Sequence, residues 1–318
     1  MAEETKVKKT IQKKTLDENS FILLAMAMIG IVVVFVFHYL PMFGVILAFK
    51  DGDYELNILN ALLKSPFNGF DNFTEFLKHP AFLDVLLNTL GLNLLMLLIN
   101  FPIPIVFALL LNEVKNKVGK TSVLIICNLN HFLSWGCFGG IINALTDGVT
   151  GIMNPVLYSL GIGSYSNPIN LQSADYFWGT MIISSILKGT GWGSIIYLAA
   201  ITSIDPSLYE SAELDGAGRW GKMWHISLPC IMPTVTVFLL LNISGLLNNS
   251  FDQFYVFQNP LNLDRSEVLA TYIYKQGIVE RRYSYTAALN LLNSVVSIVL
   301  LFTSNKISSK ATGRGLWT

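Results

Sequence analysis

Long stretches free of charged side chains dominate the chain. Consecutive charges bracket five of them, at 19–49, 85–112, 121–146, 223–251 and 283–305. A sixth apolar stretch, Tyr176 to Ile204, is interrupted only by Lys188. A bilayer core about 30 Å thick needs roughly 20 mostly apolar residues per helix, so the pattern predicts six transmembrane helices. The apolar run Phe21 to Phe37 exceeds the hydrophobic region of a cleaved signal peptide, and no small-x-small site follows it. It reads as a retained helix ending near His38-Tyr39-Leu40-Pro41. The second stretch contains Asn100-Phe-Pro-Ile-Pro104. Prolines inside a span remove backbone donors and predict a kink there.

Composition agrees with this reading. Charged residues make up 13% of 318 positions, hydrophobic residues 52%, and 21 basic side chains balance 21 acidic ones. Soluble chains carry about 25% charge, and disordered ones are poor in apolar residues. A net charge of zero gives no basic footprint for nucleic acid. Cys127, Cys137 and Cys230 are too scattered for a disulfide framework or a metal site. His38, His79, His131 and His225 show no ligand spacing, so no metal is expected.

Lys and Arg set the orientation, because cytoplasmic connections hold their excess. With the N-terminus inside, inner segments carry Lys6, Lys8, Lys9, Lys13, Lys14, Lys115, Lys117, Lys120, Arg219, Lys222, Lys306, Lys310 and Arg314. Outer ones carry Lys50, Lys64, Lys78, Arg265, Lys275, Arg281 and Arg282. Both termini are therefore expected in the cytoplasm, with a basic tail over 1–18, a six-helix transmembrane domain over 19–311 and a short tail over 312–318. The lysines from Lys6 to Lys14 are read as orienting the first helix.

The inner loop 204–230 looks folded. Asp205 before Pro206 is a helix-start signal. Tyr209, Ala212, Gly216, Trp220 and Met223 recur at helical spacing and predict one contact face. Gly216 and Gly218 allow a bend or a close backbone approach, and Pro229 is expected to open the next span. Glu210-x-Ala212, then Gly216, then Ile226-x-Leu228-Pro229 resembles the EAA loop of binding-protein-dependent ABC importer permeases. The spacing is complete, and Ser211 replaces the middle small residue. The resemblance implies that this loop is a coupling helix seated in a groove of a separate ATPase. It implies that Glu210 pairs with a basic residue of the ATPase, that Ala212 permits close approach and that Gly216 permits the turn. Leu40-Pro-Met-Phe-Gly-Val-Ile46, Leu87-Asn-Thr-Leu90, Phe251-Asp-Gln-Phe-Tyr-Val-Phe-Gln-Asn-Pro260 and Thr271-Tyr-Ile-Tyr-Lys275 resemble the oligosaccharide and polysaccharide branch.

That resemblance implies an all-α, six-helix bundle in a bacterial cell membrane. It implies a second, non-identical permease, an ATPase dimer that binds ATP and Mg, and an extracellular solute-binding lipoprotein that delivers an oligosaccharide. No cofactor is expected in this chain, and no catalysis. Val114-Lys-Asn-Lys-Val-Gly119-Lys120-Thr121 ends like a phosphate-binding loop, but Val114 stands where the first glycine belongs. Gly189-Thr-Gly191-Trp-Gly193 lacks a nucleotide fingerprint's third glycine, and close helix packing explains it better.

Substrate-path candidates are Lys188, Trp192, Asn242, Asn248, Asn249 and Asn290, with Asn293 beside them. An ionisable residue in a span often marks a pathway, although Lys188 could also snorkel or pair locally. Amides could bind sugar hydroxyls or tie helices together, and Trp192 could stack on a sugar face. An ion-coupled transporter would show intramembrane acids or broken helices in two halves, yet Asp and Glu are absent from all six predicted spans. An enzyme on lipid-linked sugars would bring acid or histidine pairs to the surface, whereas Asp51, Asp53 and Glu55 form no motif.

Overall fold

Proline and small polar caps set where the helices bend and stop. The computed structural model describes residues 18–55, 57–164, 168–247, 250–313 and 315, with 18–21, 311 and 312 as backbone only. Most of both predicted tails, including Lys6 to Lys14, lies outside the described residues. Among those described, helices make up the fold, and one isolated bridge pairs Lys50 with Phe67. The chain divides between Ile46 and Leu47 into two compact units.

Five helices are long and apolar enough to span a membrane: Ile22–Phe49, Phe82–Asn112, Ala174–Thr202, Arg219–Ser244 and Tyr283–Lys310. The predicted stretch 121–146 is a bent pair, Lys117–Phe132 and Trp135–Thr146, turned by 100°, and it makes a sixth span if the pair crosses together. Leu133 and Ser134 are extended at the break, and the Ser134 hydroxyl accepts from Cys137 N–H at 3.2 Å. That bond caps the new helix. For convenience these segments are the first to sixth spans in chain order, the bent pair being the third.

Two proline expectations need correction. The first helix does not end at Pro41; it widens at Phe35–Tyr39, where Leu40 N–H bonds Phe35 C=O, and continues through Phe43–Phe49. Likewise the fifth span starts at Arg219, not Pro229, with a wide turn at Met223–Ser227 where Leu228 N–H bonds Met223 C=O. A proline ring clashes with the carbonyl four residues back. An i to i−5 turn just before the ring relieves that clash without ending the helix.

Among the described residues, three apolar clusters organise the second unit, one of them Phe76, Val85, Leu269, Tyr272, Tyr285 and Leu289. Toward the loop 204–230, Ile105, Leu109, Tyr197, Ile201, Met223 and Ile231 join the second, fourth and fifth spans. Toward the opposite end, Leu92, Phe177, Met181, Phe254, Phe257 and Val268 pack together. The glycine reading of the fourth span holds at Gly191, where an added Cβ would lie 2.5 Å from the Cys127 carbonyl. Backbone approach that close admits no side chain.

The segment preceding the sixth span is tied down by polar groups. Asp53 accepts from Ser284 and Tyr285 N–H at 2.8 and 3.1 Å and from Arg282 Nε at 3.2 Å. Arg282 also pairs with Glu75 at 2.6 Å and lies 4.1 Å from the Tyr285 ring centre. One carboxylate thus satisfies two orphan donors at a helix start.

Candidate functional site

Residues Pro206–Leu214 form a short helix at the junction of the fourth and fifth spans. Asp205 caps it, its carboxylate accepting from Ser207 N–H at 2.9 Å, a bond that holds the carboxyl below its usual range. The far end closes with Gly216 at φ +81°. There Gly216 N–H bonds Glu213 C=O at 3.1 Å and Ala217 N–H bonds Ala212 C=O at 2.8 Å. This paired arrangement is a left-handed glycine stop. Gly216 therefore ends the helix and cannot share a continuous face with Tyr209, Ala212, Trp220 and Met223, as the spacing suggested. The reason is local: the left-handed turn reorients everything after Asp215.

Two bonds hold this helix against the fifth span. Tyr209 Oη and Ser227 Oγ lie 2.9 Å apart, and Lys222 pairs with Glu213 at 2.5 Å. The Lys222 ammonium, bonded to Glu213, holds that carboxyl below its usual range. Glu210 and Ser211 are exposed, and Ala212 is half-buried. Leu214 is 91% exposed, Trp220 66% and Trp224 60%. Ile226 and Leu228 are half-buried, Leu228 packing on the cluster around Tyr197, while Pro229 is exposed. So Ser227, inside the motif's second half, bonds the helix through Tyr209, while Glu210 and Ser211 of its first half are presented outward.

A cavity of about 370 Å³ opens between the second, fourth and fifth spans and the short helix Phe251–Phe257. Its lining mixes amides and hydroxyls (Asn93, Asn100, Asn242, Gln253, Ser185, Ser250) with Phe101, Tyr197, Phe238 and Phe254. No Asp, Glu, Lys or Arg is among the described residues that line it. Size and mixed lining suit a small organic ligand.

Of the sequence candidates, Asn242 lines this cavity and donates to Phe238 C=O at 2.8 Å. Lys188, Trp192 and Asn290 are not among its lining residues. Asn248 and Asn249 lie outside the described residues. Asn290 is exposed on the sixth span. Trp192 stacks on His131 with ring centres 4.4 Å apart. Lys188 is buried, and its Nζ donates to the carbonyls of Asn130 at 3.0 Å, His131 at 3.2 Å and Leu133. It also lies 5.2 Å from the Trp135 ring centre and 5.7 Å from that of Phe138. These partners are the closing turn of one helix and the opening of the next, so Lys188 sits at the 100° bend of the third span.

Asn93, Asn100, Tyr197 and Gln253 were not anticipated. Alternation along an apolar helix does not reveal which amides face a cavity shared by four elements. The one available signal was proximity of Asn100 to Pro102 and Pro104.

Residues 80–312 match the family model for the binding-protein-dependent transport system inner membrane component. The chain belongs to that family. It is accordingly a membrane-embedded, multi-pass ABC permease subunit. It is 41% identical over 288 residues to Protein LplB of Bacillus subtilis (strain 168), covering 91% of this chain and 88% of that one. It is 35% identical over 289 residues to the polygalacturonan/rhamnogalacturonan transport system permease protein YteP of the same strain, again covering 91% and 88%. Among solved structures it is similar to a chain of a bacterial alginate ABC transporter in complex with an alginate pentasaccharide-bound periplasmic protein. That match has a TM-score of 0.82 and 34% identity, covering 94% of this chain and 97% of the other.

Proposed function

We propose that this chain, a permease subunit of a binding-protein-dependent ABC sugar importer, forms one wall of an oligosaccharide path and is driven through the helix Pro206–Leu214. The carrying observation is that helix: capped at both ends, fastened to the fifth span by Lys222 and Tyr209, with Glu210, Ser211 and Leu214 left outward. A rigid exposed element joined to two spans can transmit a push. Glu210 would meet a cation on the ATPase, and Trp220 and Trp224 would add aromatic contact at its edge.

The supporting partners follow from that role. One chain offers one such helix, so a dimeric ATPase needs a second permease, which we take to be a different chain. ATP and Mg belong to the ATPase, and an extracellular solute-binding lipoprotein brings the sugar. The excess of Lys and Arg over all the inner segments together, 13 against 7 in the outer ones, supports cytoplasmic termini. ATP closure would favour one of two preformed arrangements, exposing the cavity alternately to each side. Asn242 and the other uncharged polar groups of the cavity suit sugar hydroxyls, with Tyr197 and Phe238 beside them.

Glu210→Lys tests this reading in the reconstituted complex of both permeases, ATPase and binding protein. The expected result is normal membrane insertion, loss of ATPase co-purification and loss of sugar-stimulated ATP hydrolysis. Unchanged coupled hydrolysis would refute the coupling role.

A further inference from the structure

The four amides of the cavity differ in how their polar atoms are used. Asn93 donates to Leu246 C=O at 2.5 Å, Asn242 to Phe238 C=O at 2.8 Å and Gln253 to Met181 C=O at 3.2 Å. Asn100 has neither its Oδ1 nor its Nδ2 engaged, although both atoms are buried. Buried polar groups are nearly always paired, and an orphan calls for an explanation.

The backbone around it is short of donors too. Pro102 and Pro104 lack N–H groups. In a continuous helix those groups would serve the carbonyls of Leu98 and Asn100. Phe101 keeps helical angles, φ −68° and ψ −44°, so the chain runs on through this gap without turning away from the cavity. One side-chain donor, one side-chain acceptor and freed carbonyls therefore gather at one level of the second span.

Resting on the reading of the cavity as a sugar path, we propose that Asn100 is a specificity-determining contact for a pair of neighbouring sugar hydroxyls. The chemistry is complementary. One hydroxyl of a vicinal diol donates to Oδ1 while the other accepts from Nδ2, which satisfies both orphans at once. A uronate's carboxylate is acceptor-only and would leave Oδ1 unpaired, but its ring keeps the 2- and 3-hydroxyls, so the amide reads the diol in neutral and acidic sugars alike. No cation lines the described cavity to hold such a carboxylate. The amide borders the cavity with its polar atoms shut away, and widening during alternating access opens it to the sugar.

The test uses the full complex in proteoliposomes with its binding protein. Short neutral oligosaccharides of arabinose, xylose and galactose, and short galacturonates, are each assayed for stimulation of ATP hydrolysis. The sugar that best stimulates the wild type, together with its 2-deoxy analogue, is then given to the wild type, Asn100→Leu and Asn100→Ser. Asn100→Leu is expected to raise the half-saturating sugar concentration about tenfold, the worth of roughly two neutral hydrogen bonds. Asn100→Ser, keeping one hydroxyl, should fall between. Because no internal partner is lost, the melting temperature of Asn100→Leu should stay level or rise, and the second permease should co-purify as before. A lower melting temperature would make the amide structural, and loss of the second permease would make it a subunit contact; either overturns the proposal. Unchanged sugar dependence in Asn100→Leu overturns it alone. A wild type stimulated equally by the sugar and by its 2-deoxy analogue overturns the diol assignment, and one that no sugar stimulates overturns the cavity as a sugar path.

Discussion

Replacing Lys188 by Met keeps the length of the side chain and removes its charge. In the folded protein the ammonium serves three carbonyls at the end of Lys117–Phe132 and faces two aromatic rings. Hydrogen bonds to a charged group contribute about 1.5–3 kcal/mol each in net terms. A cation at a helix C-terminus adds up to about 2 kcal/mol when partly buried, and a desolvated cation–π contact adds about 1–2 kcal/mol. Against these stands the cost of holding an ammonium in a span, several kcal/mol. Loss of the cation also leaves the carbonyls without a donor. Weighing the two sides, Lys188→Met should cost about 2–4 kcal/mol. A domain of this size shifts its melting temperature by roughly 2 °C per kcal/mol, so purified protein in detergent should melt roughly 4–8 °C lower by tryptophan fluorescence. Lys188→Arg keeps the charge and should lose less. The reasoning fails if Lys188→Met melts like the wild type. If transport is nonetheless abolished in that case, Lys188 belongs to the transport path after all.

Two further predictions concern orientation and the end of the molecule remote from the helix Pro206–Leu214. Single cysteines at Ser207 and Lys310, in a background free of the three native ones, should react with impermeant maleimide only from the cytoplasmic side. One at Leu261 should react only from outside, and the reverse pattern would overturn the orientation; Leu261 is chosen because it is 63% exposed while neighbouring Asn262 is buried and bonded. Asp53→Ala removes two N–H partners and one side of the Arg282 pair, for a cost of about 3–5 kcal/mol. A melting temperature within a degree of wild type would show that this tie contributes little.

The start of the helix Pro206–Leu214 was legible because its constraints are local. A proline at the first helical position and a capping Asp205 act through the few residues around them, so the start was read from spacing, whereas Gly216, read as part of a continuous face, proved to be the stop. The spans were legible for a similar reason: lipid penalises charge wherever it occurs along a segment, and the gaps between charges record that directly. Even there, the sequence placed the helix limits at Pro41 and Pro229 wrongly. A proline forbids one hydrogen bond but does not say whether the helix ends or absorbs the loss in a wider turn.

Packing alone decided the rest. Nothing in Leu133-Ser134 says that a long apolar stretch turns through 100°, because the bend is held by Lys188, more than fifty residues further along the chain. That same partnership removed Lys188 from the cavity, although its position in a span had made it a pathway candidate. Asn100 shows the converse. One of many asparagines in apolar helices, it became notable only when four elements closed around it and left its amide without a partner. The sequence by itself determined which segments are apolar enough to enter the membrane and where the helix Pro206–Leu214 starts, since solvation and capping are read residue by residue. Which polar groups meet inside the membrane was decided only by tertiary structure, because hydrogen-bond satisfaction is a property of the whole set of neighbours.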